Sequence, residues 1–129
     1  MKPKISIVGL RVADLGGALA FYRDGLGFPT HNYADGDDFI LFALEGTWLA
    51  LHPRPAASKD PAPADAVFWL SHNVPSKAAV DAVYRQGLAA GATALTPPWD
   101  APWGGYEASF ADPEGNVWDI ACNPFTDLT

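Results

Sequence analysis

One carboxylate, Asp119, interrupts an otherwise apolar segment near the end of the sequence, VWDIAC at residues 117–122. The β-branched and aromatic residues of this segment predict a strand, and the DPEG segment just before it predicts a turn that closes on Gly115. Because the side chains of a strand alternate between two faces, Asp119 is expected to point away from Trp118. The Asp119 face meets either solvent or a cavity in which a carboxylate is useful.

A second group of chemically capable side chains lies upstream, in PPWDAPWGGYE at residues 97–107. The prolines and glycines of this segment predict an exposed loop. Trp99, Trp103 and Tyr106 offer rings to a planar molecule, and Glu107 adds a carboxylate. The two adjacent glycines indicate a loop that approaches another group closely. We therefore expect this loop to contribute to a small-molecule site, while a filled aromatic core is the structural alternative.

The elements that position these residues are repeated along the chain. FYRDGL at residues 21–26 and VYRQGL at residues 83–88 share Tyr, Arg, Gly and Leu, and the same offset of 62 residues (21 against 83) pairs Val12 with Val74. Two such units nearly account for the 129 residues, which predicts one module used twice. Each module opens with a strand, at 5–12 and 66–74, and continues into a helix. Asp14 and Ser76 are the predicted N-caps of the two helices.

Three strand-like segments follow each predicted helix. They lie at 31–33, 39–44 and 47–52 in the first module, and at 94–95, 106–110 and 117–122 in the second. The resulting β-α-β-β-β order, used twice, predicts an α+β fold. We expect a single domain, 1–129, with a first module at about 1–53, a linker at about 54–65 and a second module at about 66–125.

The composition narrows the class of function. Apolar residues make up 49% of the chain, which is typical of a globular protein, and no apolar run reaches the ~20 residues that a membrane helix needs. The net charge of −7 disfavours nucleic acid and anionic membranes as partners. The single cysteine, Cys122, predicts a small buried side chain and favours a cytoplasmic location.

Two longer segments carry a resemblance to a known family. VADLGGALAFYRDGLGF at residues 12–28 and FADPEGNVWDIA at residues 110–121, together with the repeated module, resemble the vicinal oxygen chelate superfamily of glyoxalases, dioxygenases and bleomycin-resistance proteins. LSHNV at 70–74 and WGGY at 103–106 are similar to its glyoxalase-like members. The resemblance implies two tandem βαβββ modules that form a half-open β-cup with the helices outside. It also implies a homodimer.

The metal ligands of that superfamily are mostly missing here. By resemblance, its four ligand positions fall on Ile7, Ala50, Val67 and Asp119, and a shift of two residues moves two of them to Trp48 and Trp69. One oxygen donor cannot hold a transition metal, which needs three or more protein ligands. We therefore expect no metal cofactor. The alternative is a divalent metal held by displaced donors, for which the candidates are His52, Glu107 and His31.

Without a metal, the cup that the resemblance implies would bind its ligand through aromatic walls and a few polar groups. The predicted ligand-binding residues are Trp48, His52, Trp69, Trp99, Trp103, Tyr106, Glu107 and Asp119. A buried carboxylate needs a partner, and for Asp119 the sequence offers His52, Arg11 or a cationic ligand. A planar or cationic ligand suits aromatic rings beside a carboxylate.

Two classes of function remain open at this point. The first is a binding protein similar to bleomycin-resistance proteins, holding a planar or cationic small molecule. The alternative is an enzyme of the superfamily, either a metal-dependent lyase, isomerase or dioxygenase, or a metal-free isomerase. The weak catalytic candidates are Asp119 and His52, as acid and base, and Glu107.

Overall fold

The protein divides into two compact units. The computed structural model describes residues 1–54 and 68–129. Unit 1 combines Met1–Ser6 with Trp69–Thr129, and unit 2 comprises Ile7–Phe68. The first six residues therefore group with the second module, whereas the sequence assigned them to the first. Most of the predicted linker, and Val67, lie outside the described residues.

Unit 2 contains the first β-α-β-β-β module. Its described elements are β1 (Ile7–Val12), α1 (Leu15–Leu19), a π-helical turn (Ala20–Gly25), β2 (Thr30–His31), β3 (Ile40–Phe42) and β4 (Trp48–Pro53). Its strands lie in the order β2-β3-β4-β1, and β1 runs parallel to β4 while the other neighbours are antiparallel.

Unit 1 repeats the arrangement. Its described elements are β5 (Phe68–Asn73, of which Trp69–Asn73 belong to this unit), α2 (Lys77–Ala89), β6 (Thr93–Asp100), β7 (Tyr106–Ala111) and β8 (Val117–Cys122). The strand order is β5-β8-β7-β6, with β5 parallel to β8 and the other pairs antiparallel. The predicted α+β class with two βαβββ modules is confirmed.

Each helix begins where the sequence predicted and covers one face of its own sheet. The Asp14 carboxylate accepts a hydrogen bond from the Gly17 amide, and the Ser76 hydroxyl accepts one from Ala79. Helix α2 packs Val80, Val83 and Tyr84 against the Ala108, Phe110 and Ile120 side of β7 and β8. In unit 2 the corresponding core is Leu19, Ile40, Phe42 and Leu51.

The first six residues are fixed to unit 1 by polar contacts. The backbone N–H of Ser6 donates to the Ser71 carbonyl at 2.8 Å. The Ser6 hydroxyl accepts from the backbone N–H of Asn73 at 3.0 Å and donates to the Leu128 carbonyl at 3.1 Å. His72, only 1% exposed, hydrogen-bonds the Lys4 carbonyl through Nδ1 at 2.8 Å. His72 is paired with Ile120, so its side chain lies on the helix side of the sheet.

One helix has an unexpected form, and the predicted position of Trp99 was wrong. The first predicted helix changes into a π-helical turn after Leu19, although the matching segment of the second module stays α-helical. Trp99, predicted in a loop, lies on β6. Pro97 and Pro98 lie at the register shift between Thr96 and Trp99 of this outer strand, so their missing N–H groups interrupt no regular pairing with β7. Among the described residues, no helix is long and apolar enough to cross a membrane.

Candidate functional site

The sheet of unit 1 has a face opposite α2 that carries a row of polar side chains. The strand register places Ser71 of β5, Asp119 of β8, Ser109 of β7 and Thr96 of β6 side by side. The Ser71 hydroxyl is 3.5 Å from Asp119 Oδ2 and 3.3 Å from Asn73 Oδ1. We call this side of the sheet the polar face. Asp119 points away from Trp118, which packs against the α2 core as predicted.

A group of two indoles and one carboxylate lies at the β6–β7 edge of the polar face. Trp99 is paired directly with Glu107 across the two antiparallel strands. The indole Nε1 of Trp103 donates a hydrogen bond to Glu107 Oε2 at 3.1 Å. Trp99 and Trp103 are 45% and 42% exposed, so both rings remain accessible to a molecule from solvent. We call Trp99, Trp103 and Glu107 the indole–carboxylate group.

The loop that carries Trp103 is held by its own backbone. The Ala101 amide donates to the Gly105 carbonyl at 2.8 Å, and the Gly104 amide donates to the Ala101 carbonyl at 3.0 Å. Gly104 has φ +102°, a conformation that favours glycine. Phe125 closes over Gly104, where a β-carbon would come within 3.0 Å of its ring. The predicted close approach of this loop to another group is therefore an approach to aromatic rings of its own unit.

The two carboxylates of the polar face are diagonal neighbours. Glu107 is paired with Ala121 and Ser109 with Asp119, so Glu107 and Asp119 are diagonal neighbours, a relation in which Cα atoms typically lie about 7–8 Å apart. Unit 1 has seven Asp and Glu residues against four Lys and Arg residues. One of its cations, Lys77, pairs with Asp100 at 2.7 Å. The side chains of this unit therefore carry a net negative charge.

Tyr106 does not join this group. It alternates with Glu107 on β7 and faces α2, where its hydroxyl donates to Asp81 Oδ1 at 2.7 Å. That hydrogen bond to a carboxylate raises the pKa of Tyr106 above its usual value. The ammonium group of Lys77 lies 5.3 Å from the centre of its ring. Tyr106 ties β7 to the helix, although it was predicted to be a ligand-binding residue.

The other predicted ligand-binding residues lie on equivalent sheet faces. Trp69 shares the polar face with Ser71 in unit 1. In unit 2, Trp48 and His52 lie on β4 on the side away from the helix, and β1 places Ile7 opposite Trp48 and Arg11 opposite His52. The ring of His31 lies 4.9 Å from that of Trp48, and the ring of Phe39 lies 5.9 Å from that of His52.

The residues at the expected metal positions do not fit a transition metal. Ile7 and Ala50 offer no donor atom, and the neighbours of Asp119 on either side are serines. Within residues 1–54 and 68–129, no three His, Cys, Asp or Glu side chains are grouped closely enough to hold a metal ion. A hydroxyl pair beside one carboxylate is a weak donor set for Zn²⁺ or Fe²⁺, which prefer imidazole, thiolate and several carboxylates.

Several members of the polar face were not predicted from the sequence. Ser71, Asn73 and Ser109 are each at most 9% exposed, and none belongs to a recognisable motif. The alternation of LSHNV placed Ser71 and Asn73 on one side of a strand. Their position beside Asp119 depends on strand register, which the segments alone do not give.

Comparison with solved structures identifies similar folds at low sequence identity. A chain described as an NAD-dependent benzaldehyde dehydrogenase from Legionella pneumophila has a TM-score of 0.73 and 23% identity, with 90% of this chain and 96% of that chain covered. A glyoxalase/bleomycin resistance protein/dioxygenase superfamily member from Vibrio splendidus has a TM-score of 0.61 and 15% identity, with 91% of this chain and 97% of that chain covered. The Mn(II)-bound glyoxalase from Novosphingobium aromaticivorans has a TM-score of 0.64 and 22% identity, with 92% of this chain and 38% of that chain covered.

At these identities the structural likeness establishes the fold alone. A comparison with curated proteins finds no match. The family model described as Glyoxalase/Bleomycin resistance protein/Dioxygenase superfamily matches residues 4–120, nearly the whole chain. With the βαβββ module present twice and the DPEGN turn leading into β8, this chain belongs to the glyoxalase/bleomycin resistance protein/dioxygenase superfamily.

Proposed function

We propose that this protein binds a planar, positively charged small molecule on the polar face of unit 1. The observation that carries the proposal is the indole–carboxylate group, in which Glu107 accepts the Trp103 N–H and is paired with Trp99. An aromatic ring next to a carboxylate attracts a cation in two ways, through the electron-rich face of the ring and through direct charge. Both attractions act on the same ligand.

The polar groups of the polar face support a small ligand. Asp119 and Glu107 are half-buried, and the buried Ser71, Asn73 and Ser109 lie beside them. Hydroxyl and amide groups fix the orientation of a bound molecule, while aromatic side chains supply most of the contact area. The proposed ligand therefore has a flat, positively charged ring that lies against the indoles and is attracted by Asp119.

The proposal treats the site as free of metal, because the residues at the superfamily's ligand positions do not supply a donor set. An enzyme of the superfamily is the alternative, with Asp119 as its best-placed acid or base. Turnover that a chelator abolishes would favour a metal enzyme over a binding protein. A homodimer and a cytoplasmic location remain predictions; light scattering and cell fractionation would test them.

The test uses two probes of nearly the same shape, 1-methylquinolinium chloride and neutral quinoline, titrated by calorimetry. We expect the cation to bind and the neutral ring to bind more weakly. Glu107→Gln and Asp119→Asn should each weaken binding of the cation by about tenfold, because each removes one charge and keeps the shape. Their effect on quinoline should be small.

The matched control is Glu114→Gln, which removes one exposed carboxylate outside the polar face. Its effect on either probe should be slight, since exposed charges are screened by salt. Equal binding of the two probes, or no binding of the cation at millimolar concentration, would contradict the proposal. If Glu114→Gln and Glu107→Gln weakened binding of the cation equally, the effect would come from the net charge of the protein and not from the site.

A further inference from the structure

The position of the Trp103 ring depends on the residue two positions along the chain. A β-carbon built on Gly105 would overlap the six-membered ring of Trp103 at three of its carbon atoms, Cη2, Cζ2 and Cζ3. Gly105 itself is buried, and its φ does not lie in the left-handed region. Its glycine is therefore required for space and not for backbone conformation.

The overlap falls on a part of the molecule that can move. The three atoms are at the far end of the indole, while the loop backbone is held by the hydrogen bonds between Ala101, Gly104 and Gly105. A methyl group at position 105 would therefore push the indole away and leave the loop closed. Displacement of the ring would also break the hydrogen bond from Trp103 Nε1 to Glu107.

We infer that Gly105 is a positioning residue for the binding site, because it admits the Trp103 indole to the place where Glu107 holds it. This inference rests on the proposed function and adds a residue that does not touch the ligand. The size of the side chain at position 105 then determines whether the Trp103 ring can lie beside Glu107 in the indole–carboxylate group. A glycine there gives a site with two indoles, and any larger residue gives a site with one.

The first test measures the indole without any ligand. In a ¹⁵N–¹H spectrum the five tryptophans give five indole N–H signals, and the signal absent from Trp103→Phe belongs to Trp103. We expect Gly105→Ala to shift this signal and to speed its hydrogen exchange, while the other four signals keep their positions. Glu107→Gln should leave the exchange slow, because a glutamine oxygen still accepts the N–H.

The matched control is Gly16→Ala. Gly16 also lacks a positive φ, and a β-carbon there meets only Asp14 Oδ1 at 3.7 Å, an ordinary contact. This variant should leave all five indole signals unchanged. An unchanged Trp103 signal in Gly105→Ala would overturn the inference, and this outcome does not depend on whether the protein binds any ligand.

The second test connects the ring position to binding. Gly105→Ala should weaken binding of 1-methylquinolinium by about threefold to tenfold, as Trp103→Ala does, because both remove one aromatic face. The double variant Gly105→Ala/Trp103→Ala should bind 1-methylquinolinium no more weakly than Trp103→Ala alone. Wild-type affinity in Gly105→Ala, with a shifted Trp103 signal, would overturn the role in recognition. If the wild-type protein does not bind the probe, the proposed function fails, and the spectrum alone decides whether Gly105 positions Trp103.

Discussion

At the scale of single residues, side-chain direction along a strand separates the roles. Glu107 and Tyr106 are neighbours in sequence, yet Glu107 accepts the Trp103 N–H on the polar face and Tyr106 hydrogen-bonds Asp81 on the helix side. Asp119 and Trp118 divide in the same way. Residue type alone predicted a ligand role for Tyr106, while alternation along β7 gives it a contact with α2.

The turn before β8 offers a prediction for one carboxylate. Asp112 accepts hydrogen bonds from the Asn116 side chain at 2.8 Å and from the backbone amides of Glu114 and Asn116 at 2.9 Å. These contacts, the Asn116 side chain first among them, hold the pKa of Asp112 below its usual value of 3.8. Asn116→Ala should therefore raise the pKa of Asp112, which an NMR titration of its carboxyl carbon would measure.

The sign of the accompanying stability change follows from the same shift. A carboxylate with a lowered pKa in the folded state stabilises the protein above its unfolded-state pKa, and this contribution is lost as the pH falls through the folded-state pKa. The cost of Asn116→Ala in urea unfolding should therefore be larger at about pH 7 than at about pH 3. An equal cost at the two pH values, with an unchanged titration, would refute this account of the turn.

At the scale of elements, one sequence repeat folds in two ways. The Tyr-Arg-x-Gly-Leu segments end a π-helical turn in unit 2 and continue an α-helix in unit 1. Their glycines meet different surroundings. A β-carbon on Gly25 would lie 3.7 Å from the Ala20 carbonyl oxygen, whereas one on Gly87 would lie within 3.0 Å of the Phe110 ring. Helix α2 therefore approaches β7 closely because position 87 lacks a side chain.

This difference predicts opposite effects for the same substitution. Gly87→Ala should destabilise the protein by about 1–3 kcal/mol, because the buried Phe110 ring has little room to move. Gly25→Ala is the matched control, and it should be neutral or should stabilise by up to about 1 kcal/mol through helix propensity. Urea unfolding of both variants measures the difference. Similar losses in the two variants would refute the role of Phe110.

At the scale of the whole molecule, the first residues of the chain complete the unit built from its last residues. Ser6 is 2% exposed, and its hydroxyl joins the Asn73 amide to the Leu128 carbonyl. The Lys4 ammonium donates to the carbonyl oxygens of Leu128 and Thr129 at 3.0 and 2.9 Å. Unit 1 is therefore assembled from segments at opposite ends of the sequence, so its stability depends on contacts of high sequence separation.

This assembly predicts that the Ser6 hydroxyl contributes to the stability of unit 1. Ser6→Ala leaves the buried Asn73 N–H without its acceptor, which should cost about 1–3 kcal/mol. Hydrogen exchange should speed up in β5 and near Leu128 and stay slow in β3 and β4. Thr129→Ala is the control, because its hydroxyl contact with Asp127 is exposed and its loss should cost little. Faster exchange in unit 2 alone would contradict the grouping.

The sequence by itself determined the local and periodic features of this protein. The repeat predicted two modules, Asp14 and Ser76 predicted the helix starts, and alternation along residues 117–122 placed Asp119 and Trp118 on opposite faces. These features depend on neighbouring residues and on the periods of helices and strands. The local sequence alone therefore specifies them.

Only the tertiary structure decided which residues become neighbours. Strand register placed Ser71 and Ser109 beside Asp119 and Trp99 opposite Glu107. The path of the chain grouped Met1–Ser6 with unit 1, and the room above Gly105 set the position of Trp103. These outcomes depend on pairing and packing between distant segments, because register and free space belong to the folded chain and not to any one segment.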